Sequence, residues 1–396
     1  MSPTEHTVQV GAKPIPSQLI EGYAISRFNA VPAANDLEKL IAEQLTNPLE
    51  YPPLMASIID DDHIAIGLED GVPDGPAIAA EVIRFLIKHD VSHERITLVL
   101  GSTHRGKLDA VQSELQRRSI PDIQLLLHDP SNHDSHAYVA ASKEGDPIYV
   151  QRELIDADVS IPIFCVRHPS LPHSSDPFGI APTFTDAETQ ERWNLAWIED
   201  STTDRHEHER LGREVGWLAG VHFAIAAVPA ADGSLSAVIA GQPEKIYSQS
   251  SALIRREHQE LLGSCDLVIA FVEGPAAQQT WLSIARATTA AEPLCTPAAR
   301  LVVCCDVDHV SRGVRDLHSD EPVEQANRRL LNSRVEDAFA AAVLRLASYR
   351  RSIYLYSSLT ETETENLGLA YIQGLDDIHH LIEQGTKIGI VRGAQF

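Results

Sequence analysis

The sequence predicts an α/β protein with two domains, each built on a mostly parallel sheet, and a ligand cleft between them. Two observations favour this fold. Short runs of β-branched residues and leucine alternate with helix-like segments along the chain, which is typical of βαβ units. A length of 396 residues is also long for one domain. Because Gly263-Ser264 breaks the pattern, we predict domains over 1–262 and 263–385, with the C-terminal strand 386–396 as a candidate to complete the first.

The first predicted domain begins with an irregular segment that contains one helix, 36–45. Apolar periodicity then predicts the following strands: 64–68, 95–100, 123–127, 158–166, and a hairpin of 221–228 with 237–239 around Asp232-Gly233. It also predicts the following helices: 76–89, 107–118, 186–197, 203–219 and 243–262.

The second domain is predicted to be Rossmann-like. Its predicted strands are 267–272, 301–305, 353–356 and 388–391, and its predicted helices are 277–290, one long helix over 321–348, and 375–384. No G-x-G-x-x-G motif follows any of these strands, so the sequence gives no support for a nicotinamide or flavin cofactor.

Composition narrows the class of partner. A formal charge of −24 argues against nucleic acid and against an anionic membrane surface, since both attract clustered Lys and Arg. Five cysteines without C-x-x-C spacing indicate a reducing compartment, and neither a signal peptide nor a membrane-spanning run is visible. We therefore expect a cytoplasmic protein with a small-molecule ligand. The sequence predicts no oligomeric state.

Polar residues gather where strand 95–100 ends, in Gly101-Ser102-Thr103-His104-Arg105-Gly106-Lys107. Ligands bind at this end of strands in open α/β sheets, and a histidine there can move a proton while an arginine can bind an anion. Two other interpretations stay open. The segment is either a solvated loop that caps a helix, or a phosphate loop of the form G-x-x-x-x-G-K. Since Leu108 replaces the magnesium-binding Ser or Thr of that motif, we expect no magnesium nucleotide to bind.

Two further groups of histidines follow. The segment His128 to His136 holds three histidines, but these residue types are common in loops, so we predict a solvated loop and no metal ligand. His168 lies just after strand 158–166, in the same way that His104 lies after strand 95–100. Because both strands are assigned to one sheet, we predict that His104 and His168 open onto one cleft between the domains.

The order of these pieces resembles the nickel-dependent lactate racemase family of 2-hydroxyacid racemases and epimerases. The likeness spans about 64 to 396 and rests on five segments: 101–105, 145–158 leading to His168, 223–228 with 240–243, 265–275, and 352 onward. The resemblance implies reversible hydride transfer to a nickel pincer nucleotide, with His104 and His168 as the acid/base pair. It also implies that substrate and cofactor are held by Thr103, Arg105, Glu69 and Arg286.

Several family positions differ in this chain. Phe178 stands where the resemblance places a cofactor-attaching lysine, and Trp193-Asn194 stands where it places a nickel-binding histidine. Val72 replaces an arginine that clamps the substrate carboxylate, and Ala285 replaces a lysine in the second domain. The resemblance therefore implies a nickel pincer nucleotide that is not covalently attached.

Three functions follow from this sequence. The first is an isomerase that acts on a 2-hydroxyacid-like substrate. The second is a catalytically silent relative that binds a small anion or a partner. The third is an enzyme that uses residues 101–107 as a phosphate loop.

Overall fold

Two six-stranded sheets with helices packed on them carry the main hydrophobic cores of the described residues. The computed structural model describes residues 7–26, 32, 36–142, 144–174, 177–199, 205–254, 261–319 and 321–396. No helix within these ranges is long and apolar enough to cross a bilayer.

In chain order, the strands are β1 (Thr7–Val10), β2 (Lys13–Pro16), β3 (Ala24–Ser26), β4 (Ile64–Glu69), β5 (Ile96–Gly101), β6 (Gln124–Leu127), β7 (His136–Ala141), β8 (Pro147–Gln151), β9 (Val159–Cys165), β10 (Ala224–Pro229), β11 (Leu235–Gly241), β12 (Cys265–Phe271), β13 (Cys295–Cys304), β14 (Ile353–Tyr356), β15 (Ala370–Tyr371) and β16 (Ile388–Val391). The helices are α1 (Leu37–Thr46), α2 (Gly75–Lys88), α3 (Arg105–Arg117), α4 (Arg152–Asp156), α5 (Ala187–Glu199), α6 (Arg205–Leu218), α7 (Pro243–Leu253), α8 (Trp281–Ala291), α9 (Val323–Asn332), α10 (Ala338–Arg350), α11 (Glu361–Asn366) and α12 (Leu375–Glu383).

The first sheet has the strand order β11-β10-β9-β4-β5-β6, and its pairs are parallel except for the β10–β11 hairpin. Its central strand, β4, is buried along almost its whole length because helices cover both faces of a parallel sheet. The second sheet has the order β15-β14-β13-β12-β16-β3 and is parallel throughout. The predicted class of two mostly parallel α/β sheets is confirmed.

The ends of the chain depart from the predicted domain division. Strand β16 lies between β12 and β3 in the second sheet, so it does not complete the first. All four of its residues are buried and apolar, and such a strand needs a partner on each side. Strand β3 supplies one side. The hairpin β1–β2 packs Val8, Val10 and Ile15 on the same sheet, so residues 7–26 also belong with the second sheet.

The predicted long helix over 321–348 is two helices, α9 and α10. Arg334 and Asp337 in the connecting turn have φ of 51° and 58°, which an α-helix cannot contain. The break lets α9 and α10 pack against each other, and the turn places Glu336 beside His104, which follows β5 of the first sheet.

The segment from His128 to His136 is largely exposed between its ends, as predicted, but the histidines at its two ends are not solvated. His128 and His136 are both buried, with ring centroids 5.2 Å apart, and His136 begins a hairpin of β7 with β8. Nδ1 of His128 lies 2.7 Å from Oε1 of Gln151, and its Nε2 lies 3.0 Å from the carbonyl oxygen of Thr185. These contacts fix the imidazole in the core beneath the hairpin.

Burial lowers the pKa of His128 below its ordinary value of 6.5. Below pH 6.5 the unfolded chain therefore binds a proton at this position that the folded chain does not, so the free energy of unfolding falls as the pH falls. We expect His128→Gln to reduce the stability lost between pH 7.5 and 5.5 by about 1 kcal/mol, as measured by urea unfolding. His133→Gln, on the exposed part of the same segment, is the matched control and should keep the full loss. Equal losses in both variants would contradict the assignment.

Candidate functional site

An ion pair closes the point where the strand order of the first sheet reverses. Glu69 ends β4, and Arg167 follows the neighbouring strand β9. Arg167 is fully buried, and its Nη1 donates to Oε1 of Glu69 and, at 3.3 Å, to the carbonyl oxygen of Cys165. The other oxygen of Glu69 accepts the Cys165 backbone N–H at 2.8 Å. Gly71, with φ of 77°, lets the following turn pass over the guanidinium, because glycine adopts this conformation without strain.

The second sheet also has a buried ion pair at the point where its strand order reverses. Glu273 lies just beyond β12 and is fully buried, and Arg392 lies just beyond the neighbouring strand β16. Nη2 of Arg392 donates to Oε2 of Glu273 at 2.6 Å, and the Gly393 backbone N–H donates to Oε1 at 3.0 Å. Crevices at such reversal points usually bind ligands. Here side chains of the protein fill both.

The open space lies between the two sheets, in a cavity of about 220 Å³ that we call the inter-sheet cleft. His104 and Lys107 line it from the first sheet, and Trp281, Arg286 and Glu336 line it from the second. His104 immediately precedes α3, and its Nε2 lies 2.7 Å from Oε1 of Glu336 in the turn between α9 and α10. Both side chains of this pair are about half exposed, so it stands at the mouth of the cleft.

Arg286 is the most deeply placed charge of the inter-sheet cleft. It is 6% exposed, and its Nε donates to the carbonyl oxygen of Pro172 at 2.9 Å. Among the described residues, no carboxylate lies within 4.0 Å of its guanidinium. Burial, and next the charge of Arg167, lower the pKa of Arg286 to about 9. The cleft therefore holds a cation that is costly to keep charged without an anion.

The other predicted site residues have less direct access to the cleft. His168 follows β9 at the same sheet edge as His104; it is half-buried, with Nδ1 2.8 Å from Oγ of Ser170, and it is not among the residues that line the cleft. Arg105 is exposed at the start of α3 and does not line it either. Thr103 lines an adjoining crevice, and Glu69 is held by Arg167. That His104 and His168 serve one cleft stays a prediction.

The geometry of residues 101–107 does not favour a phosphate loop. Gly101 is the last residue of β5, and α3 begins at Arg105, so only three residues connect the strand and the helix. Nζ of Lys107 is 2.7 Å from Oδ1 of Asp70. A phosphate-binding lysine would have to leave this ion pair to reach a nucleotide.

The side chains present do not fit a lysine-attached nickel pincer nucleotide. Phe178, at the position implied for attachment, is buried and packs so tightly on Gly216 that a Cβ on that glycine would overlap it. At the position implied for a nickel ligand, Oδ1 of Asn194 lies 2.6 Å from Nε2 of His173. The described part of the chain holds no group of three or more His, Cys, Asp or Glu side chains placed to bind a metal ion.

Sequence reasoning missed Arg167 and Glu336. Arg167 adjoins the candidate His168, but its partner Glu69 is 98 positions away, so only the pairing of β4 with β9 joins them. Glu336 lies within the predicted long helix 321–348, where a charged side chain is expected to face solvent. The Asn332-Ser333-Arg334 segment was the available signal for a break, since asparagine and serine are common where helices end.

We expect the protein to keep its unmodified mass when it is produced in cells that synthesise the pincer nucleotide. Phe178 has no nucleophile, and Nζ of Lys107 is engaged in an ion pair with Asp70. Intact-protein mass spectrometry measures this directly, and Lys107→Met is the control for attachment at the lysine of the cleft. An adduct of nucleotide mass would contradict the expectation, and peptide mapping would then locate it.

Comparison with known proteins agrees with this architecture. Residues 11–189 match the family model described as the lactate racemase N-terminal domain. The fold is similar to the lactate racemase apoprotein from Thermoanaerobacterium thermosaccharolyticum, at 14% identity and a TM-score of 0.76 over 98% of each chain. It is also similar to a Thermotoga maritima protein solved by structural genomics, at 16% identity and a TM-score of 0.65, over 91% of this chain and 97% of the other. No curated protein sequence matches significantly. The resemblance that the sequence predicts is thereby confirmed: residues 11–189 match the lactate racemase N-terminal domain, and the chain as a whole has the lactate racemase fold.

Proposed function

We propose that this protein binds a small organic carboxylate of the 2-hydroxyacid class in the inter-sheet cleft. The observation that carries the proposal is the buried guanidinium of Arg286, which has no carboxylate partner among the described residues. Its Nε is used by Pro172, so both Nη groups remain as donors. A planar guanidinium with free Nη donors matches the geometry of a carboxylate.

The acidic residues of the cleft do not replace the missing partner of Arg286. Asp70 is paired with Lys107, and Glu336 with His104. Burial raises the pKa of Asp337, which favours its neutral form. A buried charge without a partner is unfavourable, so a bound carboxylate would recover stabilisation that the protein alone lacks at this position.

His104 supports the choice of a hydroxylated acid. Its imidazole lines the same cleft as Arg286, and the Glu336 carboxylate restrains the orientation of the ring. A ring nitrogen can accept a hydrogen bond from an α-hydroxyl or donate one to its oxygen. Arg286 would then hold the carboxylate and His104 the hydroxyl of one ligand.

A 2-hydroxyacid racemase or epimerase is the second candidate. The His104–Glu336 pair favours it, because a histidine oriented by a carboxylate is a common acid/base arrangement. His104 could exchange the hydroxyl proton, and His168 is proposed for the opposite face. Phe178 and Asn194, at the positions implied for cofactor attachment and for a nickel ligand, do not suit the pincer nucleotide, so carboxylate binding is the better supported function.

Replacing Arg286 tests the proposed function. We expect Arg286→Gln to weaken lactate binding roughly tenfold or more in isothermal titration calorimetry, because a hydrogen bond to a charged group is lost. Its thermal midpoint should not fall, since an unpaired buried charge is removed. Arg350→Gln, which removes an exposed arginine at the end of α10, is the control for charge alone. Unchanged lactate affinity in Arg286→Gln would refute the proposal.

The enantiomeric ratio of lactate tests the second candidate function. We expect L-lactate incubated with protein from cells that make the pincer nucleotide to keep its enantiomeric ratio in chiral chromatography, because Phe178 has no nucleophile and Lys107, the lysine that lines the cleft, is paired with Asp70. Conversion to a racemic mixture that is abolished in His104→Asn would instead establish the isomerase.

A further inference from the structure

A second cavity adjoins the inter-sheet cleft and has no part in the function proposed above. It has a volume of about 280 Å³ and lies at the carboxyl ends of β4 and β5, against α2 and α3. We call it the α2–α3 chamber. Its walls include Leu68, Val72, Leu100, Ala110 and Val111 from the first sheet and its helices. Pro275 and Ala277 line it from the segment after β12.

The α2–α3 chamber and the inter-sheet cleft lie next to each other and share part of their walls. Five residues line both cavities: Asp70, Gly71, Lys107, Ala277 and Gln278. The Asp70–Lys107 ion pair, 2.7 Å long and about one-third exposed, therefore stands at their junction. Such partly exposed ion pairs contribute about 0–1 kcal/mol, so a ligand can pass beside or displace this pair at little cost.

The charges of the chamber decide which chemistry it accepts. Glu69 is held by Arg167, and Glu114 by Arg117 and Arg118. Asp74 is exposed at the start of α2 and has no side-chain hydrogen bond or ion pair among the described residues. The chamber thus offers apolar walls and an acidic rim, which suits an uncharged aliphatic chain and repels a second carboxylate.

We propose that the α2–α3 chamber receives the apolar chain of the carboxylate ligand, so that the ligand is a monocarboxylate with a longer carbon chain than lactate. The inference rests on the proposed function, because it takes the carboxylate to be held by Arg286. The small side chains of Ala110 and Ala277 leave the space that the chain fills, and they are therefore the specificity-determining positions.

The test compares three 2-hydroxyacids by isothermal titration calorimetry: lactate, 2-hydroxyhexanoate, and 2-hydroxyadipate, which adds a second carboxylate to the six-carbon chain. We expect 2-hydroxyhexanoate to bind about tenfold more tightly than lactate, because three more methylenes leave water. We expect 2-hydroxyadipate to lose that gain and to recover part of it in Asp74→Asn.

The second part of the test uses variants with larger side chains that fill the α2–α3 chamber. Ala110→Phe should reduce the preference for 2-hydroxyhexanoate over lactate at least fivefold, and Ala277→Leu, on the opposite wall, should act in the same direction if the first variant folds poorly. Gln112→Phe places the same ring on the exposed outer face of α3 and is the matched control. If both acids bind equally well and Ala110→Phe changes neither, this inference is wrong while the proposed function stands. If no acid binds, the proposed function fails and the inference with it.

Discussion

The buried ion pair of Glu69 with Arg167 is the interaction on which the arrangement of the site depends. Arg167 has no exposure to solvent, and a buried guanidinium persists only with a carboxylate and further acceptors around it. Glu69 joins the ends of β4 and β9 through the side chain of Arg167 and the backbone of Cys165. The pair fills the crevice where a ligand would otherwise bind. It also neutralises one arginine, so the nearby Arg286 is the charge left for an anion.

In the second sheet, too, a glutamate and an arginine form an ion pair where the strand order reverses. Glu273 and Arg392 join the ends of β12 and β16, as Glu69 and Arg167 join the ends of β4 and β9. Each glutamate also accepts a hydrogen bond from a backbone N–H. Glu69 accepts it from Cys165 at the end of β9, and Glu273 accepts it from Gly393, which follows Arg392. Each sheet is thus closed at its own reversal point. The inter-sheet cleft and the α2–α3 chamber lie where the two sheets face each other, and residues from both sides line them.

How much the sequence predicts depends on the range of the interactions. Strand β16 was predicted at its exact bounds and β5 within one residue, because a run of β-branched and aliphatic residues is a local signal. The sheet that β16 joins was not predictable, since that depends on its pairing with Ile25 and Ile269. His104 and Arg286 were predicted to belong to the site, and both line the cleft. The His104–Glu336 contact was not predictable, because it depends on the break between α9 and α10. The apolar pattern runs on through this break and predicts one helix.

The place of β3 in the second sheet has a consequence for the order in which the chain folds during synthesis. Ile25 pairs with Ile390, so this early strand cannot join its sheet until the residues around 390 have left the ribosome. The strands of the first sheet lie between residues 64 and 241 and can assemble before then. Until β16 is made, β3 has no native strand partner. Such long-range pairing slows folding, and it leaves the apolar residues of β3 available for aggregation or for binding by a chaperone.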